Sequence, residues 1–536
     1  MKRKKLLIIL FLLCYTVGIS AAEWQWSVQL RGFISPETGK EPTAFLWIPS
    51  DCRHLRAVMV GQHNMSEETL FEMPRFRKAL AEMGIGLIWI SPGMEPQWDV
   101  SKGTQRVFEQ MMKELTQVSG YTELEHVPIV PIGHSAMATY PWNFAAWNPE
   151  RTLAIISLHG DAPRTNLTGY GRENIEWGRT RNIDGIPGLM IEGGYEWWEA
   201  RVNPALAFRM MYPESCISFL CDTGRGHFDV APQTADYIAL FLKKALAYRL
   251  PQAVPLGKPC SLKKLNPEDG WLAERWRQNG KKRAKAAPYR HYKGDVHDAF
   301  WYFDKEMAEL TEARYTRYAG KKEQFLSFMQ KGRLAGYDSK LHAGITLRFL
   351  PEKDGLTFHL KAVYTDSLRT GMADGHPEGM PEISRICGPV EKVNDTTFTV
   401  RFYRMGMDSP KRTGDIWLLA SSDGDRNYKS ALQQLNIRIP YRNAEGRRQY
   451  ILFPGIEDVK EDVKSIPLRA TSDCGLPVYY YVKEGPAEVQ GNELVLTPIP
   501  PRAKFPIKVT VVAWQYGKAG EVQTAEPVER SFFVIQ

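Results

Sequence analysis

The chain has little that would mark it as a membrane, fibrous or metal-templated protein. Across 536 residues it holds one conspicuous apolar run, Leu6 to Leu13, well short of the roughly 20 residues a spanning helix needs. It has no low-complexity tract and no clear repeat of solenoid period. Cysteines are few, seven in all, and their spacing fits no metal-binding signature. Neither sign of charge dominates, since 69 Lys and Arg face 61 Asp and Glu for a formal charge of +8. That balance gives no ground for a nucleic-acid partner, which would need a local basic patch. One such cluster, Lys281-Lys282-Arg283-Ala284-Lys285, reads as a solvated linker. Nothing in the sequence calls for a metal or a cofactor.

The first 22 residues read as an export signal. Lys2, Arg3, Lys4 and Lys5 precede the apolar run, and Ser20-Ala21-Ala22 supplies small residues for cleavage. Removal of those four positive charges leaves about +4. Cys14 raises lipid anchoring, but Leu13 stands where a small residue would be wanted, so soluble export to the periplasm, cell surface or medium is expected. Cys52, Cys216, Cys221, Cys260, Cys387 and Cys474 remain, and an exported chain can oxidise such thiols. Six cysteines allow about fifteen pairings, which the sequence leaves open along with the oligomeric state. Cys216 and Cys221 are not expected to pair, because five residues along a strand place them on opposite faces.

At this length roughly three domains are expected. From 23 to 255 short apolar runs alternate with helical patterns. The runs are 57–61, 85–90, 127–132, 153–158, 188–191 and 216–220; the helices are expected at 71–83, 107–118 and 237–248. Phe108, Met111, Met112 and Leu115 share one helical face. Buried strands alternating with helices specify a mostly parallel sheet covered on both faces. Residues 256–340 form a basic, aromatic-rich connection expected to wrap against a neighbour, with a helix over 304–317. From 341 to 459, alternating segments separated by Asp354-Gly355 and Asp423-Gly424 predict a β-sandwich-like domain.

Chemistry is concentrated at Gly133-His134-Ser135-Ala136-Met137. A serine hydroxyl needs a base to become a nucleophile, and the base needs an orienting group. Ser135 follows an apolar run and precedes a helix expected near Ala136, a setting that holds a serine above a sheet edge and near the positive end of a helix. On these residues the chain resembles the α/β-hydrolase family across roughly 23–250, with Met137 where the family has glycine. The resemblance implies the chain order nucleophile, acid, histidine. It carries the acid onto Glu196, three residues after Gly193, with Asp161 as the alternative beyond the preceding run. Glu192, nearer the strand, is expected to line the pocket or pair with an arginine. The histidine is His227 in Gly224-Arg225-Gly226-His227. Donors for a developing oxyanion are expected from the Ala136 backbone and from Asn64 or Met65. His63 and His159 end strands on the same sheet edge. With Arg164, Trp197 and Trp198 they are substrate-binding candidates, and Tyr170, Arg172, Trp177, Arg179 and Arg181 share the crossover with Arg164. His134 is expected to support the turn.

The last stretch, about 460–536, resembles bacterial immunoglobulin-like surface modules. The matching segments are 470–478, Gly485-Pro486-Ala487-Glu488-Val489, Gly491-Asn492-Glu493-Leu494, 508–513 and 525–534. Signal, triad order and trailing β-regions together resemble exported bacterial carbohydrate esterases. That implies a polysaccharide or oligosaccharide ester as substrate, with acyl groups or a uronate methyl ester removed. A serine peptidase of the same superfamily, and a glycan-binding protein with a degenerate hydrolase domain, are the alternatives.

Overall fold

The computed structural model describes residues 23–165, 174–178, 182–252, 255–278, 280–407, 409 and 411–536. The expected signal with Cys14, and Tyr170, Arg172, Arg179 and Arg181, lie outside the described residues.

The amino-terminal part has an α/β-hydrolase-type fold built on one eight-stranded, mostly parallel sheet. Its strands are β1 (Trp26–Gln29), β2 (Thr43–Trp47), β3 (Ala57–Gln62), β4 (Ile85–Ser91), β5 (Ile129–His134), β6 (Ile155–Leu158), β7 (Pro187–Gly193) and β8 (Cys216–Asp222). They lie in the order β1-β2-β4-β3-β5-β6-β7-β8. From β4 through β8 every neighbouring pair is parallel. β2 is antiparallel to both β1 and β4. Neither of these first two strands was expected from sequence.

Alternation along β3 explains the two layers. Ala57 and Met59 pack with α2 (Pro74–Met83) and α6 (Pro232–Arg249). Val58 and Val60 face α3 (Thr104–Ser119), whose Phe108, Met111, Met112 and Leu115 are all buried. The helix expected over 71–83 is two helices, α1 (Ser66–Glu72) and α2, because Pro74 cannot continue α1 and instead opens α2. The chain crosses from β4 over β3 to reach β5, so the loops after β3 and β5 diverge. In open α/β sheets that divergence at the carboxyl ends of strands makes a crevice.

The connecting region does wrap against the sheet. Phe300, Trp301 and Tyr302 join the hydrolase core, Ser218 Oγ donates to Trp301 O at 2.6 Å, and Tyr302 Oη donates to Phe219 O at 2.6 Å. The helix over Lys305–Thr316 is capped by Asp304, which accepts from the Met307 N–H at 3.1 Å. Antiparallel structure starts earlier than the expected 341, since Phe325–Gln330 pairs with Lys361–Thr365. The alternating segment 357–362 is divided between two different sheets, in strands Thr357–His359 and Lys361–Thr365. A four-stranded sheet of Thr346–Arg348, Ala431–Arg438, Asp415–Ser422 and Glu382–Cys387 turns Ile416, Leu418 and Ala420 into its own core. Its other face, with Trp417, Leu419 and Leu432, packs against Met65 and Phe228 of the hydrolase domain.

The final 80 or so residues form a four-stranded and a three-stranded sheet. Their apolar residues merge with the α3 side of the hydrolase core, and Arg502 pairs with the buried Glu123 at 2.9 Å. All six cysteines among the described residues are free thiols. Within those residues no helix is long and apolar enough to cross a membrane.

Candidate active site

β5 delivers Ser135 at its carboxyl end, and the chain turns sharply there. Ser135 adopts φ +52°, a left-handed conformation that costs a non-glycine residue about 1–3 kcal/mol and persists only where the surroundings impose it. A Cβ on Gly133 would lie 1.9 Å from Met137 O, and one on Gly160 would lie 1.9 Å from Ala138 Cβ. These two glycines therefore let the turn close against β5 and the β6 loop. Met137 finds its room elsewhere, with its Cε over Gly93. The helix expected at Ala136 starts later. Ser135–Met137 is a short 3-10 turn, and α4 (Tyr140–Trp147) follows with Pro141 in its first turn.

His227 comes from the loop after β8. Its Nε2 lies 2.8 Å from Ser135 Oγ, and its Nδ1 hydrogen-bonds Glu196 Oε2. An ionised carboxylate can only accept, so the imidazole proton is on Nδ1 and Nε2 is free to take the hydroxyl proton. Glu196 lies at the end of a short turn after β7 and carries a second imidazole, His159 Nδ1, on Oε1. The same Oε1 accepts the Gly193 N–H at 3.2 Å, and Arg201 stands 3.5 Å from Oε2. Burial works to raise the Glu196 pKa, but the His159 charge and hydrogen bonds from both histidines outweigh it and hold the carboxyl well below its usual range. Burial likewise lowers His227, only partly offset by its bond to Glu196. The arrangement is that of a serine, a base and an orienting acid, competent for proton transfer from the hydroxyl.

The opposite wall comes from β3 and α1. Ala136 sits in the first turn after Ser135, where backbone N–H groups have no acceptor within the turn. In the β3 loop the Asn64 side-chain amide donates to His134 O at 2.7 Å, so it is spent on bracing the Ser135 turn. The Met65 N–H is engaged by Glu67 Oε2 at 3.2 Å. Glu67 also accepts the His134 N–H at 2.6 Å. Burial pushes Glu67 up to about 8 despite these backbone bonds. His134 supports the turn through its ring, with Nε2 at 2.8 Å from His227 O, and burial holds its pKa well below the ordinary value.

The remaining candidates spread out. Asp161 faces Thr139, 3.5 Å away, and the carboxylate on His227 is Glu196. His63 is buried against Trp89, with rings 5.3 Å apart, and 4.0 Å from Glu68, so it does not line an open cleft. His159 is also buried, as a partner of Glu196. Glu192 pairs with Arg201 at 3.5 Å and is pushed up to about 8 by burial. Arg164 turns to Tyr212 and to Glu176 at 3.0 Å. Trp177 bonds Asn143 at 2.7 Å. Trp197 packs edge-on to Trp276, while Trp198 is half exposed beneath Arg201.

Sequence reasoning missed what the β-region brings. Arg385 pairs with buried Glu68 at 2.5 Å, Arg404 pairs with Glu72, and Tyr403 Oη donates to Glu68 at 3.2 Å. Arg412 bonds Asn64 O at 3.3 Å and Glu37 at 2.6 Å. On the His227 side, Arg225 reaches Asp423 at 2.9 Å and Ser430 Oγ donates to Gly224 O at 2.9 Å. The acidic run Glu67-Glu68…Glu72 within an apolar setting was the visible signal that basic partners existed.

His159, Glu196 and His227 offer ligand atoms within 4.8 Å of one another, a donor set a divalent cation could use. Each of those atoms is here engaged in the carboxylate–imidazole bonds.

No protein-family model and no curated protein matches the chain. Similar solved structures include FphF of Staphylococcus aureus, a fluorophosphonate-binding serine hydrolase with substrate bound. It is 13% identical over 41% of this chain and 97% of its own, with a TM-score of 0.28. Est1E from Butyrivibrio proteoclasticus is 14% identical over 41% of this chain and 99% of its own, TM-score 0.28. An S-formylglutathione hydrolase from Agrobacterium tumefaciens is 13% identical over 41% and 92%, TM-score 0.29. Similarity of this degree says nothing about chemistry, which the side chains must carry on their own.

Proposed function

We propose that the protein is an exported serine hydrolase that cleaves carboxylic esters on polysaccharide or oligosaccharide, removing an acyl group or a uronate methyl ester. The observation that carries the chemistry is the continuous bond path from Ser135 Oγ through His227 to Glu196. His227 Nε2 takes the Ser135 proton as Oγ attacks the ester carbonyl. The tetrahedral oxyanion is met by the backbone N–H groups of Ala136 and Asn64. Collapse breaks the bond to the alcohol oxygen, which leaves with the proton from His227. Water then repeats the sequence on the acyl-enzyme, releasing the acid and restoring Ser135. An oxyanion donor of this kind is worth about 3 kcal/mol of barrier.

Export and the glycan rest on the amino-terminal signal pattern and on two β-regions attached to the catalytic domain. Hydrolysis of a small chromogenic ester by the full chain, abolished in Ser135→Ala, is the expected result. Undiminished hydrolysis by that variant rejects the proposal.

A further inference from the structure

The row of rings that leads away from His227 belongs to both domains. Phe228, next in the chain, stands edge-on to His227 with ring centroids 4.5 Å apart. Trp417 of the β-region lies 5.2 Å from Phe228. His342, from the same region, closes the group at 4.9 Å from Phe228, 5.9 Å from Trp417 and 6.3 Å from His227. Phe228 is buried, Trp417 is half-buried and His342 is exposed, so the row opens toward solvent away from the base.

Two features show that this outer end is held in place. The loop bearing His342 is closed by backbone hydrogen bonds from Leu341 N to Asp338 O at 3.0 Å, Asp338 N to Gly344 O at 2.8 Å and Gly344 N to Leu341 O at 2.9 Å. Gln433 Nε2 fastens the same loop through Ala343 O at 2.9 Å. Trp417 is fixed by its Nε1 bond to Asp415 at 3.0 Å. The indole and the backbone of the His342 loop are thus preset, so a ligand that meets them orders little that is not already ordered.

The position says which half of a substrate they would meet. His227 gives its proton to the departing alcohol, so the alcohol portion of an ester must lie beside His227. We propose that Trp417 and His342 form the subsite for the alcohol half of the substrate, and that this half is a pyranose ring. A pyranose presents an apolar C–H face, suited to the half-buried indole, and hydroxyls at its rim, suited to an imidazole and to Asp415. The β-region thereby completes the substrate site of the hydrolase domain. This inference rests on the ester-hydrolase reading above in its acyl-removing form, because the alcohol half of a uronate methyl ester is methanol and not a sugar.

The test uses full-length protein and acetylated xylotetraose as probe. Ser135→Ala binds the oligosaccharide saturably in calorimetry, and adding Trp417→Ala weakens binding about tenfold, with His342→Ala weakening it severalfold. In the otherwise wild-type chain, Trp417→Ala lowers kcat/KM for the oligosaccharide at least about fivefold more than it lowers kcat/KM on vinyl acetate, whose alcohol half is too small to reach the rings. Absence of saturable binding, equal binding by the variants, or an equal fall on both substrates overturns the subsite. Failure of the ester-hydrolase reading looks different: the wild-type chain then turns over neither ester, whatever the calorimetry shows.

Discussion

Replacing Glu196 by glutamine keeps the side chain's shape while removing its charge and one of its two acceptor oxygens. The native carboxylate serves four donors. Oε1 takes His159 Nδ1 and the Gly193 N–H, and Oε2 takes His227 Nδ1 with Arg201 at 3.5 Å. An amide has one acceptor oxygen and an NH2 that can only donate. With its oxygen toward Gly193 and His159, the NH2 faces His227 and Arg201. His227 must then move its proton to Nε2, which points at Ser135 and can no longer accept the hydroxyl proton. With its oxygen toward His227, the NH2 faces the Gly193 N–H, which cannot change role. The first arrangement leaves a guanidinium facing a donor, and the second leaves a backbone donor unsatisfied, at about 1–3 kcal/mol. Conversion of an orienting triad acid to its amide typically lowers kcat about 10⁴-fold, equivalent to about 5.4 kcal/mol of barrier. We expect Glu196→Gln to lose 10³- to 10⁴-fold in kcat/KM on a chromogenic ester and to melt several degrees lower. Asp161→Asn, in contrast, should stay within about tenfold of wild type. Glu196→Gln within tenfold of wild type, or Asp161→Asn with the larger loss, would refute this assignment of the acid.

Other outcomes follow from the same geometry. Because burial lowers His227, the base form persists to lower pH, and kcat/KM should rise through an apparent pKa below the usual value of about 6.5; a limb at or above 7 would contradict this. Glu67 is raised from 4.5 to about 8, so the native state holds its proton more tightly than the unfolded chain. Its contribution to stability is therefore present in acid and lost as pH rises toward 8, by at most about 1.4 kcal/mol per pH unit. Glu67→Gln should flatten the fall of Tm between pH 6 and 8, whatever its absolute stability. Gly133→Ala forces a methyl against Met137 O and should cost about 3 kcal/mol with loss of activity. Met137→Gly should retain activity, because the methionine is accommodated over Gly93 and leaves the Ser135 turn itself free.

Much of the amino-terminal half was legible in the sequence because its signals are local. Short apolar runs ending in glycine or polar residues marked β3 to β8, and helical spacing marked α3 and α6. Ser135, Glu196 and His227 each follow a strand, so a parallel sheet brings them to one edge. The first two strands were missed because Trp26–Gln29 and Thr43–Trp47 are short and embedded in turn-rich sequence. Met73-Pro74 split a helix that periodicity alone had joined. His159 looked like a cleft residue because strand position fixes its height on the sheet and not the direction of its ring. Trp417, His342, Arg385 and Arg412 were out of reach: they meet the site across about 115 to 350 residues of chain, and no local pattern encodes such contacts.

All of the proposed chemistry depends on activation of Ser135 by His227. Incubation of the full chain with a fluorophosphonate probe, followed by peptide mass spectrometry, tests it most directly. Stoichiometric labelling of Ser135 is expected, abolished in Ser135→Ala and slowed at least about 10³-fold in His227→Ala. An unlabelled Ser135 in folded protein, or labelling as fast without His227 as with it, would show that His227 does not activate the serine.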